Sequence, residues 1–258
     1  MRTRITTGIA LFVMAFLFIP LLIIVITSFG TAATIQLPIQ GFTIDWYHYV
    51  LTSDTFISSF KTSMFVGLIA TSISLVLGVP TAYVLTRFIN RGRKQLNAFF
   101  LSPTIIPGIV IGYAIFQAVI VRLALPVYLA LLIGHLIISL PYVIRIVGSS
   151  LIHMDVSIEE AAWTLGYTKI QTFLKIVLPN LTSGIFAASL LAFVNSFNNI
   201  PVSMFLTGPG ITTLPTAILN YMEYNYDPAV SAISTLLMLL TLVLMLIVEK
   251  TLGLSAIM

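Results

Sequence analysis

Apolar runs of about 18 residues or more recur along almost the whole chain, each long enough to cross the roughly 30 Å hydrocarbon core of a bilayer as a helix. Only 8% of the 258 residues are charged. A soluble domain carries about 25%, so this chain cannot cover a water-facing surface with charge. Mean hydropathy is +1.08. Strand-like alternation is absent, which argues against a membrane β-barrel. The sequence predicts an all-α, polytopic membrane protein, with residues 1–258 forming one transmembrane domain.

Six spans fit the runs, at 8–29, 60–86, 98–120, 126–147, 180–206 and 229–249. The long block 98–147 divides at Arg122, with a short turn near 121–126. Orientation follows from the basic residues, which favour the cytoplasmic side. With the N-terminus inside, ten lie inside: Arg2, Arg4, Arg87, Arg91, Arg93, Lys94, Arg145, Lys169, Lys175 and Lys250. Only Lys61 and Arg122 lie outside. Both termini are therefore expected in the cytoplasm. The run Ile9–Phe29 exceeds the roughly 7–15 residues of a signal-peptide core, so a retained first span is expected.

Composition excludes several classes. There is no cysteine, which rules out disulfides and Cys-based metal or Fe–S sites. Net charge +4 and pI near 9.4 do not point to nucleic acid, because no basic run is interleaved with aromatic residues. No phosphate-loop, H-E-x-x-H or G-x-S-x-G motif occurs, so neither a resident cofactor nor an enzyme is expected. No span carries the series of buried Asp, Glu or Lys expected of a proton-driven carrier. Uphill transport would need energy from another subunit.

Small residues at helical spacing, Gly67, Ala70, Thr71, Ser74 and Gly78, and the pair Gly108 and Gly112, predict close helix packing. Pro103, Pro107 and Pro141 predict kinks. In the fifth span Ala188, Ala192, Asn195 and Asn199 share a helical face, with Asn198 beside it. An amide facing lipid is expensive, so these residues either bond between helices or line a solute path, with Ser203 and Tyr142 as further path candidates. His135 reads as a satisfied structural histidine. The outer segments 30–59 and 207–228 carry Trp, Tyr, Asp45, Asp54, Glu223 and Asp227. They either dock an external partner or cap helices at the interface.

Between spans four and five stands the charged stretch "EEAAWTLGYTKIQTFLKIVLP", 159–179, within an expected cytoplasmic loop at 150–178. Ser157 and Glu160 have the spacing of a capping box that would open a first helix. Gly166 suits the left-handed turn that ends it. Thr168 and Gln171 form a second box, after which Ile170, Phe173, Leu174 and Val177 make an apolar stripe. Pro179 falls in the first turn of the fifth span.

Glu160-Ala161-Ala162, Gly166 and Ile176-x-Leu178-Pro179 resemble the EAA loop of the permease subunits of binding-protein-dependent ABC importers. "WYHYV", "GVPTAYVLTRF", "IPGIVIGY", "LPYVIRIV" and "VSMFLTGPGITTLPTAILNYM" are similar to the spermidine/putrescine subgroup. The resemblance implies the type I importer fold, in a bacterial inner membrane. It also implies a cytoplasmic ATP-binding subunit dimer that holds ATP and Mg²⁺, a second and different permease subunit, and an external substrate-binding protein. Ser157, Glu159, Glu160, Ala161, Ala162, Gly166, Ile176, Leu178 and Pro179 would couple the chain to the ATPase. At Phe197-Asn198-Asn199 the chain departs from relatives that carry acidic residues there. Amides suit a polyamine less well than carboxylates, and another small polar or charged solute stays open.

Overall fold

A computed structural model describes residues 2–252. Met1 and residues 253–258 of the expected domain lie outside the described residues, as do the side chains of Arg2, Arg4 and Lys250. The helices are α1 (Arg2–Thr27), α2 (Asp45–Thr52), α3 (Asp54–Arg87), α4 (Arg93–Leu101), α5 (Gly108–Ile115) and α6 (Val127–His153). After them come α7 (Ser157–Thr164), α8 (Lys169–Thr172), α9 (Leu178–Asn180), α10 (Thr182–Phe197), α11 (Leu214–Tyr224) and α12 (Pro228–Leu252). Among the described residues the only β pairing is an isolated bridge, Gly208 to Ile211, around a turn at Gly210.

Among the described residues three helices are long and apolar enough to cross a bilayer, namely α1 from Thr6, α3 and α6. Two bent pairs bring the count to five if each is one span. The expected third span is one of them: the chain turns by 88° between Thr104 and Gly108. Pro103 and Pro107 lack the amide hydrogens that would carry the helix through. Beyond α5 the chain continues in wide π turns over Phe116–Arg122. The expected fifth span is the other pair, bent by 74° between Asn180 and Thr182. Its helix α10 ends at Phe197, not at 206. Pro201 disfavours helical backbone at Ile200, and the Asn199 side chain accepts the Val202 N–H at 2.9 Å. The expected sixth span falls on α12, whose described apolar stretch Pro228–Val243 is shorter.

The chain groups into two compact units. In the unit formed by 1–57 and 217–258, α12 packs against α1 and α2. Thr27 Oγ1 donates to Ser231 Oγ at 3.0 Å, joining α1 to α12. The segment after α1 folds back on itself: Phe29 stacks on Phe42, and Trp46 Nε1 donates to the Gly30 carbonyl at 2.9 Å. Tyr221 Oη donates to Asp227 at 2.7 Å, and burial together with that bond raises the Tyr221 pKa. Asp227 also accepts the Ala229 N–H at 3.0 Å, capping α12.

The unit Ser58–Thr216 is built on α3, α5, α6 and α10. One apolar cluster joins Val79, Tyr83, Val143, Val147, Val177 and Ala188. The other joins Val66, Ile111, Ile115, Leu131, Val202 and Leu206. In lipid such contacts gain from close van der Waals packing rather than from leaving water. The small residues sit where that packing is tightest, as expected. A Cβ on Gly78 would stand 2.7 Å from Val143 Cγ1, and one on Gly112 2.9 Å from the Val202 carbonyl oxygen.

Candidate functional site

The charged stretch folds into two short helical pieces around a corner. α7 does not open as expected. Ser157 is already helical, and Val156 occupies the capping place. A capping serine must stand just outside the helix to reach its free amides. Asp155 acts instead, its Oδ1 accepting the Ser157 N–H at 2.9 Å. That bond holds the Asp155 carboxyl below its ordinary pKa. The expected box between Ser157 and Glu160 is therefore absent, and Glu160 is exposed.

The corner forms as expected. Gly166 has φ +86°. Its N–H donates to the Trp163 carbonyl at 3.0 Å, and the Tyr167 N–H reaches back to Ala162 at 3.1 Å. These two bonds make a Schellman ending, which satisfies carbonyls that the helix leaves free. The second box also forms: Thr168 Oγ1 accepts the Gln171 N–H at 3.3 Å, and Gln171 Oε1 accepts the Thr168 N–H at 2.9 Å. The chain then widens into π turns over Phe173–Val177 before α9. Only half of the expected apolar stripe is used. Val177 is buried and Phe173 partly so, whereas Ile170 and Leu174 are exposed. The π turns break the register that would align all four. Pro179 lies in α9, ahead of the bend, rather than in the first turn of α10.

α7 packs against α8 and the turns after it, and a buried ion pair ties it to α3. Glu159 is fully buried, and its Oε1 accepts from Arg87 Nε at 2.7 Å. Tyr83 Oη donates to Glu159 Oε2 at 2.7 Å, and Arg87 Nη2 donates to the Met154 carbonyl at 2.9 Å. The end of α3 thereby clasps the start of α7 and the turn before it. Adjacent residues on a helix point about 100° apart, so Glu159 turns inward while Glu160 turns out. Ala162 is buried beside Glu159. Ser157, Glu160, Ala161, Thr164 and Leu165 are all exposed, at the spacing of one helical face. Ile176 and Leu178 are half-buried, and Pro179 is exposed. The sequence reading gave Arg87 only an orienting charge and passed over Tyr83. Their i, i+4 spacing at the end of a span was the available signal.

The path candidates separate into two sets. Around His135, Nδ1 bonds Ser196 Oγ at 2.7 Å and Nε2 bonds Ser203 Oγ at 3.0 Å. Ser203 donates its hydroxyl to the Asn199 carbonyl at 2.6 Å, so it accepts from Nε2–H, and Nδ1 accepts from Ser196. His135 is the satisfied structural histidine expected. Asn195 Nδ2 donates to the Ile138 carbonyl at 3.3 Å. Asn195, Asn199 and Ser203 thus all hydrogen-bond within the chain. Asn198 is exposed and Tyr142 half-buried, outside this network.

Residues 74–252 match the family of binding-protein-dependent transport system inner membrane components. The putrescine transport system permease protein PotI of Escherichia coli is 30% identical over 230 residues, 86% of this chain and 82% of its own length. The spermidine/putrescine transport system permease protein PotC of Haemophilus influenzae is 30% identical over 235 residues, 90% of each chain. In fold, the chain resembles a crystal structure of a bacterial ABC transporter involved in the import of the acidic polysaccharide alginate. The TM-score is 0.72 at 19% identity, over 96% of this chain and 95% of that one. The match covers α3 from Ser74 through α12, and with it the clasped α7 and its corner. The chain belongs to the binding-protein-dependent transport system inner membrane components, a multi-pass permease subunit of an ABC importer and not an enzyme.

Proposed function

We propose that this subunit forms half of the translocation path of an ATP-driven importer, for a small solute delivered by an external binding protein. It crosses the membrane six times with both termini in the cytoplasm, the α7 segment standing between spans four and five. ATP and Mg²⁺ belong to a cytoplasmic ATP-binding subunit dimer, and a second, different permease supplies the other half. Polyamines are named for the relatives; a phosphonate, an amino-acid-like or another small solute is the alternative. Asn195, Asn198, Asn199, Ser203 and Tyr142 are the candidates along the path.

The observation that carries this reading is the two-sided character of α7. Its inner face is fixed to α3 through Glu159 and Arg87, while Glu160, Ala161, Thr164 and Leu165 stay open, Leu165 at 79% exposure. A helix stiffened at both ends transmits displacement as a unit, as coupling between two discrete states requires. Ala161 keeps the open face low enough for the helix to enter a groove on the ATPase.

The test is Ala161→Trp in the importer reconstituted with its ATPase and binding protein. Uptake falls by about an order of magnitude while ATP hydrolysis continues. Normal transport by a stably assembled variant overturns the docking role. Solute flux through the purified chain alone, driven by an ion gradient, overturns the importer reading.

A further inference from the structure

Charge in the unit Ser58–Thr216 is one-sided. It holds nine Lys and Arg residues against three carboxylates, Asp155, Glu159 and Glu160. All three carboxylates lie at α7 or in the turn before it, Asp155 bonded to Ser157 and Glu159 to Arg87. From Ser58 onward, α3, α4, α5, α6 and α10 carry none.

Two clefts of this unit carry that imbalance in their walls. One, of about 700 Å³, is lined by Lys61, Thr62, Phe65, Tyr128 and Leu132. The other, of about 200 Å³, is lined by Thr86, Arg93, Asn97, Arg145 and Ser149. Neither has a carboxylate in its wall. Among the described residues Lys61, Arg93 and Arg145 have no ion-pair partner. Lys61 and Thr86 are about 37 Å apart along α3 at 1.5 Å per residue, so the clefts lie toward opposite ends of a span. A third cleft, lined by His153, Asp155 and Asn180, belongs to the coupling segment.

Passages lined by Lys and Arg favour anions, and those lined by Asp and Glu favour cations. A dication entering this unit meets like charge at both clefts, and the other path candidates, Asn195, Asn198, Asn199, Ser203 and Tyr142, offer it no carboxylate. An oxyanion meets an ammonium at one cleft and two guanidiniums with hydroxyl and amide donors at the other. Guanidinium groups match oxyanions with paired N–H donors.

We infer that the solute is a small anion carrying a phosphate, phosphonate, sulfate or carboxylate group, met by Lys61 in one cleft and by Arg93 and Arg145 in the other. This rests on the importer reading and selects its solute class. The test is uptake by cells carrying the complete importer, each compared with cells in which this chain is deleted. The labelled probes are inorganic phosphate, sulfate, methylphosphonate, glutamate, putrescine, spermidine and glucose. Deletion-dependent uptake of one of the anions is expected, falling about tenfold in Lys61→Glu and less in Lys61→Gln, with assembly checked in both. Deletion-dependent uptake of putrescine, spermidine or glucose overturns the inference and leaves the importer reading standing. Uptake of none of the anions, or anion uptake indifferent to both variants, also overturns it. Anion uptake that persists without the ATPase defeats the importer reading instead, and leaves the charge selection intact.

Discussion

The two halves of the coupling segment have similar lengths and similar polarity, yet they are held by different means. α7 is fixed by a buried ion pair to a residue 72 positions earlier, and its own cap is a single exposed aspartate. The stretch from Thr168 to Asn180 is started by a local capping box and anchored by Val177 and Phe173. One half depends on a distant element for its position; the other needs only its own sequence to begin. The half tied to α3 by charge is the one whose other side carries Glu160, Ala161, Thr164 and Leu165 in the open, whereas the second half meets α3 through the Phe173 and Tyr83 rings.

The sharpest way to break this contrast is to remove one partner of the clasp. Glu159→Leu or Arg87→Leu leaves the other charge buried and unpaired, which costs about 3–5 kcal/mol. Thermal unfolding of the purified assembly reads the loss. The double variant, Arg87→Leu with Glu159→Leu, recovers part of it, because an apolar pair leaves no orphaned charge. A double variant no better than either single one would show that the two residues do not act as a pair.

A smaller effect lies at the corner that joins the halves. Gly166→Ala places a Cβ in left-handed backbone, at a cost of about 1–2 kcal/mol. Amide exchange at Gly166 and Tyr167 rises, because their bonds close the Schellman ending. Exchange in the middle of α6 does not change. The smallest effect separates the two caps: Thr168→Ala destabilises its helix by about 1 kcal/mol. Ser157→Ala has no measurable effect on α7, since Asp155 caps through the backbone. Equal losses in the two variants would restore the first box.

What was legible in the sequence follows the same division. Gly166 and the box at Thr168 and Gln171 were readable because their bonds span only a few residues. Apolar length located the spans, but a membrane run is apolar on every side and gives no sign of where a helix bends. The breaks after Thr104 and Phe197 were set by Pro107 and Pro201, of which only the first was read as a kink. The clasp was hidden because Glu159 and Arg87 meet only after α6 and the turn before α7 bring them together. Asp155 was overlooked because Ser157 and Glu160 offered the stronger local pattern.

The histidine network has a consequence for biogenesis. His135 leaves the ribosome 61 residues before Ser196 and 68 before Ser203, the groups that satisfy its two ring nitrogens. A buried polar group without a partner in hydrocarbon costs several kcal/mol. The two ring nitrogens are both satisfied only once α10 and the turn that follows have packed against α6. An α6 folded without α10 therefore carries an unsatisfied imidazole, and the two helices with the turn after them form the smallest piece of this unit that satisfies it.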